Sequence, residues 1–138
     1  MRKTLIALLV AAISLVGVLT ATAANTATKK LEARLRGAGP NRGQVEVRLN
    51  AATGKVCWEF KLAKIDGKPN QAHIHKGRRG VSGNVVVPFG ASYKRQGCTT
   101  AAKATVKTVL KNPRSYYVNV HNAKHPAGAM RGQLNRGA

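Results

Sequence analysis

From Lys29 onward the chain alternates apolar and polar residues with a period of two. Leu31, Ala33 and Leu35 share one side of an extended segment, and Val45, Val47 and Leu49 share one side of the next, opposite Gln44, Glu46 and Arg48. Val56, Trp58, Phe60 and Leu62 form a third such side, with Cys57, Glu59 and Lys61 behind them. Neighbouring strand residues point to opposite faces, so this is the pattern of strands that bury one face. Gly37 to Gly43 and Thr53-Gly54 supply the turns, and the three segments predict an antiparallel meander.

Shorter elements follow. Gln71 to His75 predicts a fourth strand with Ala72 and Ile74 inward and His73 and His75 outward, and Val85-Val86-Val87 a fifth, with a glycine-punctuated loop from Gly77 to Gly83 between them. Ala102, Val106, Val109 and Leu110 recur at helical spacing before Asn112-Pro113, which predicts one helix over Ala101 to Leu110. Tyr116 to His121 reads as a strand with Tyr116, Val118 and Val120 on one face, and Ala129 to Leu134 as the last strand, after a Pro126-Ala127-Gly128 turn. Trp58 falls among core positions, Tyr93 reads as an exposed loop aromatic, and Asn135 to Ala138 as a frayed tail. Seven or eight short strands in about 115 residues predict an all-β, antiparallel, Greek-key-like β-sandwich or small barrel with at most one short helix, forming one domain over residues 29–134.

The N-terminus has a different pattern. Arg2 and Lys3 precede an apolar run from Leu5 to Leu19 that ends at Ala21-Thr22-Ala23, the layout of a cleavable signal peptide over residues 1–23, with 24–28 as a short linker. The run of about 15 residues, interrupted by Ser14 and Gly17, is shorter than the roughly 20 that a spanning helix needs. No transmembrane segment is expected after cleavage, and no cysteine follows the cut to accept a lipid anchor. The expected location is extracytoplasmic: secreted, periplasmic or in the cell wall. Cys57 and Cys98, an even count in an exported chain, then predict a disulfide. Neither lies in a C-x-x-C pair, which argues against redox catalysis by thiols.

Charge narrows the partners. The chain carries 24 Lys and Arg against 4 Asp and Glu, a formal net charge of +20. Removing Arg2 and Lys3 with the signal (+20 less 2) leaves about +18, a one-signed field that attracts anions or simply keeps the domain soluble. Anionic wall polymer, polysaccharide, phospholipid surface, extracellular DNA or a protein are candidate partners. The basic residues are scattered, with no basic helix or aromatic platform, so no specific nucleic-acid recognition is expected.

Two segments carry a family likeness: Gln71-Ala72-His73-Ile74-His75-Lys76-Gly77 followed by Gly80, Gly83 and Val85-Val86-Val87, and Tyr117-Val118-Asn119-Val120-His121 followed by Pro126-x-Gly128 and Arg131-Gly132-Gln133-Leu134. In this order they resemble the CHRD domain, found in chordin and in exported bacterial proteins. The resemblance spans residues 29–134 and implies an exported β-sandwich. In chordin it implies an accessory part of a growth-factor-binding protein, and this chain lacks the cysteine-rich modules that accompany the domain there. Two departures stand out: Ala129-Met130 replaces the acidic residue that often precedes the Ile-Arg pair, and Gly39-Pro40-Asn41-Arg42-Gly43 replaces a Glu-Val-Pro-Pro segment.

All four histidines lie in or beside these motifs. Residues i and i+2 of a strand share a face, so His73 and His75 present two imidazoles about 7 Å apart at Cα, and His121 offers a third from another strand. Three imidazoles suit Cu²⁺ or Zn²⁺, and no other cofactor is expected. Alternatively, the rings are hydrogen-bonded groups that order the sheet end, with Asn119 and Tyr117 as partners and Arg131 as a buttress. His125, beside Pro126 in a turn, is the weakest candidate ligand. Gly77-Arg78-Arg79-Gly80 reads as an anion cradle or a solvated turn. The only acids are Glu32, Glu46, Glu59 and Asp66, and no nucleophile motif adjoins a histidine, so the expectation is a non-catalytic binding or structural module, with metal-dependent redox chemistry left open.

Overall fold

The alternating segments pair into one eight-stranded antiparallel sheet in the computed structural model, which describes residues 28–137. The predicted signal peptide lies outside the described residues, as does most of the linker. The strands are β1 (Thr28–Arg36), β2 (Arg42–Asn50), β3 (Lys55–Lys64), β4 (Pro69–Lys76), β5 (Val85–Pro88), β6 (Gln96–Thr100), β7 (Tyr116–Asn122) and β8 (Met130–Gln133). Helix α1 (Lys103–Lys111) and a 3-10 turn (Pro113–Ser115) lie between β6 and β7. The spatial order is β5-β4-β7-β8-β1-β2-β3-β6, so the connections from β3 to β4, β5 to β6 and β6 to β7 cross from one half of the sheet to the other.

The expected two-layered sandwich is built from a single, nearly closed sheet. Its halves join where Arg36 of β1 faces Arg131 of β8 and Glu32 bridges Asn135. The inner faces then bury each other: Leu31, Ala33, Leu35, Val45, Val47, Leu49, Val56, Trp58 and Phe60 from one half meet Ala72, Ile74, Val87, Val118, Val120 and Met130 from the other. Val106 and Val109 of α1 enter the same core. Phe89, which the alternation does not mark, is fully buried and stacks on Trp58 with centroids 4.5 Å apart.

The segment from Phe89 to Arg95 laces the two outer edges together. Phe89 and Tyr93 donate their backbone N–H groups to Ala72 and Asn70 of β4, and Phe60 of β3 donates to the Arg95 carbonyl, at 3.0, 2.7 and 2.8 Å. Tyr93 is therefore not the exposed loop aromatic expected from its surroundings. It is half-buried against Phe60, with centroids 5.3 Å apart. The tail is also tied down as far as Asn135, which exchanges two backbone hydrogen bonds with Glu32 at 2.8 and 2.9 Å.

Strand β6 carries no apolar alternation, and the sequence pattern passes over it. Backbone pairing with β3, the packing of Gly97 on the Trp58 ring, and the Cys57–Cys98 disulfide between directly opposed residues hold it in place. The bridge closes a loop of 41 residues and stabilises chiefly by restricting the unfolded chain. A Cys57→Ser, Cys98→Ser double variant is expected to lose about 4 kcal/mol in chemical denaturation. An unchanged midpoint would show that β6 is held by its backbone pairing alone.

Candidate metal centre

On β4 and β7 the core-facing residues are Ala72, Ile74, Val118 and Val120, which leaves His73, His75, Tyr117, Asn119 and His121 on the outer face. Two loops cover that face. In the first, Gly77 to Gly83 folds back so that Lys76 donates its N–H to Asn84 at 2.9 Å and Gly83 donates to the Tyr117 hydroxyl at 3.2 Å. A Cβ at Gly83 would collide with the Lys76 carbonyl oxygen, so only glycine permits this approach. The second loop is the Pro126–Gly128 turn. It lies against Asn119, which donates Nδ2 to the Ala127 carbonyl at 3.1 Å. Gly128 has φ +135° and a Cβ there would press into the Asn119 side chain, which accounts for the Pro-x-Gly motif.

His75 points to the outer face as the alternation predicts, but it is not exposed. Its side chain leaves the core side, yet the residue is only 8% exposed because the Gly77–Gly83 loop and Tyr117 enclose it. His73 and His121 are half-buried beside it. One ring nitrogen from each of His73, His75 and His121 lies within 4.8 Å of the others, whereas His125 stands outside the group. The three ring centroids are 5.0, 5.6 and 5.9 Å apart.

Hydrogen bonds select the tautomers. His75 donates Nδ1–H to the Gly83 carbonyl at 2.9 Å, and His121 donates Nδ1–H to the Pro126 carbonyl at 2.9 Å. A neutral imidazole that donates through one nitrogen keeps a bare lone pair on the other, so both Nε2 atoms are free to accept or to ligate. His121 Nε2 accepts from His73 Nδ1 at 3.2 Å. His75 Nε2 is buried and has no hydrogen-bond partner. Backbone carbonyls that orient the distal nitrogen of a histidine are the usual support of a metal-ligating ring.

The expected partners take different roles. Asn119 bonds no histidine; it holds the turn that supplies the Pro126 carbonyl. Arg131 acts through Tyr117: its guanidinium lies 5.1 Å from the Tyr117 ring centroid, and that ring stacks on His75 at 5.0 Å. Gln133, not singled out from the sequence, donates Nε2 to the carbonyls of Gly77 and Arg114 at 2.6 and 2.7 Å and anchors the root of the histidine loop. Its place in the Arg-Gly-Gln-Leu motif was the available signal. The two family departures are structural: buried Asn41 donates to the Ala129 carbonyl at 3.2 Å and accepts from the Asp66 N–H at 2.6 Å, and Ala129 and Met130 are buried.

These features define a class: a disulfide-linked, all-β domain with three histidines gathered under two glycine loops on one outer face. The CHRD domain family model matches residues 17–134, most of the chain. The chain belongs to the CHRD domain family. No curated protein and no solved structure matches it.

Burial, followed by the proximity of His121 and His75, lowers the pKa of His73 below the ordinary histidine value. Burial lowers that of His75 also, helped by His121 and Arg131 and opposed by its bond to Gly83. Both rings are thus held neutral, the form that binds metal. Above about pH 6.5 the folded and unfolded chains are both neutral at these groups. As the pH falls through that value the unfolded chain takes up protons first, and stability drops until the lower folded-state values are passed. Chemical denaturation of metal-free protein should show this loss between neutral and mildly acidic pH, and a His73→Ala, His75→Ala double variant should lose most of the dependence. An equally steep profile in the variant would assign it to other groups.

Proposed function

We propose that this chain is an exported CHRD domain that binds one transition-metal ion, Cu²⁺ or Zn²⁺, through His73, His75 and His121. In this reading it is a non-catalytic binding or structural module of the cell exterior. The observation that carries the metal assignment is the buried, partnerless Nε2 of His75 beside two further imidazoles. Leaving a buried acceptor unsatisfied costs about 1–3 kcal/mol, and a metal ion placed there would remove that cost. Three imidazole nitrogens suit borderline cations such as Zn²⁺ and Cu²⁺, and the group contains no carboxylate that would favour a harder ion.

The Cys57–Cys98 disulfide supports an oxidising, extracytoplasmic compartment, in keeping with the predicted signal peptide. A binding role, not catalysis, is favoured by the acid distribution. Glu32, Glu46 and Glu59 sit in register on β1, β2 and β3, and Asp66 is paired with Lys124 at 2.6 Å, so no carboxylate joins His73, His75 and His121 as a general base.

Calorimetric titration of the oxidised protein with Zn²⁺ and with Cu²⁺ tests the metal assignment. One equivalent should bind, His75→Ala should weaken binding by about tenfold or more, and His125→Ala should leave it unchanged. Equal affinity in wild type and in a His73→Ala, His75→Ala double variant would contradict the assignment.

A further inference from the structure

A groove of about 1050 Å³ runs over the outer face of β8, β1, β2 and β3, away from the core. Arg34 and Arg36 of β1, Arg131 of β8 and Lys61 of β3 form much of its floor, and Arg79 of the Gly77–Gly83 loop contributes from beside it. Strand register explains why the cations gather. Arg36 lies opposite Arg131 on one side and Arg42 on the other, and Arg42 lies opposite Lys64. Four cations thus form one rank across four adjacent strands. Directly opposed like charges destabilise a sheet unless a counter-charge relieves them.

The domain's own carboxylates do not provide that relief. Glu32, Glu46 and Glu59 line the other end of the groove, where Glu32 is held by Lys30 at 2.7 Å, Glu46 by Arg48 at 2.7 Å, and Glu59 lies 3.9 Å from Arg95. Among the described residues, Arg34, Arg36, Arg42, Arg79, Arg131, Lys61 and Lys64 have no carboxylate within 4.0 Å. The acidic end is neutralised locally and the basic end is left unpaired.

We infer that this groove binds an extended, phosphate-bearing linear polymer. A chain is indicated by the rank itself: Arg131 and Arg36 line the groove, and Arg42 and Lys64 carry the rank on across β2 and β3, three strand spacings in all or roughly 14 Å, more than one anion covers. Phosphate is indicated by the donors: four of the groove's five cations are arginines, and they approach from the strands below and from the Arg79 loop beside them. A tetrahedral group presents oxygens in several directions to such a set, whereas a carboxylate presents two in one plane. Nucleic acid is disfavoured because no aromatic side chain lines the groove to stack a base.

This inference is independent of the metal assignment and is tested with chelator present. The oxidised protein is titrated with fluorescently labelled short-chain inorganic polyphosphate at graded salt. An Arg34→Gln, Arg36→Gln double variant should bind about tenfold more weakly or worse, with the log–log salt slope reduced by roughly 1.5. Arg79→Gln should also weaken binding. A Lys103→Gln, Lys107→Gln double variant removes the same charge from the exposed side of α1 and should change affinity less than about threefold. Thermal midpoints matched to wild type confirm that the variants are folded. Equal losses in the two double variants would reduce the effect to diffuse charge and overturn the proposal. A polyuronate of matched charge binding as tightly as polyphosphate would overturn the phosphate assignment, and tighter binding of single-stranded DNA would assign the groove to nucleic acid instead.

Discussion

Seven of the eight strands bury their inner faces in one core, and this sharing constrains everything else in the domain. Because side chains alternate along each strand, committing Leu31, Val47, Phe60, Ile74 and Val118 to the interior also commits their neighbours to the outer face. A slip of one residue in β1, β2 or β3 would bring charges into the core and apolar residues out. The histidines of β4 and β7 and the arginines of β1 and β8 owe their positions to that register. The seam between β1 and β8 is narrow, so closure also depends on the Phe89–Arg95 segment and on the Trp58–Phe89 stack that joins the halves from within.

The outer face differs in its two halves. Over β4 and β7 it is roofed by glycine loops whose carbonyls, at Gly83 and Pro126, take the Nδ1 protons of His75 and His121. Burial under that roof disfavours protonation of His73 and His75, and the Nε2 lone pair of His75 is left without a partner. Over β1, β2 and β3 the face is open, and its charges are sorted by register into a row of glutamates, Glu32, Glu46 and Glu59, and a rank of cations that begins at Arg36. Arg131 belongs to both halves: it closes the cation rank and rests on Tyr117, which in turn stacks on His75.

The sequence made the inner face legible because alternation is a direct record of burial. The strands around Leu31, Val47 and Trp58, the single helix and the pairing of the two cysteines are all recoverable from it. Elements held by other forces were not. Strand β6 is kept by backbone bonds and a disulfide, and Phe89 and Tyr93 lie in an irregular segment without periodicity. The candidate site was legible in its residue types and in the i, i+2 spacing of His73 and His75. The burial of His75 was not, because it comes from a loop folding over the outer face, which alternation within the strand does not encode. Nor was the cation rank, since it requires knowing that β8, the last strand in sequence, lies beside β1.

The fold draws the ring protons of His75 and His121 to Nδ1 and leaves both Nε2 atoms unprotonated. Long-range nitrogen–proton NMR of isotope-labelled histidine rings measures this directly in metal-free protein at neutral pH. The expected result is the Nδ1–H tautomer for both rings, and a shift of both Nε2 resonances on addition of one equivalent of Zn²⁺ while His125 is unaffected. A proton on Nε2 of His75, or Nε2 resonances that do not respond to Zn²⁺, would contradict it.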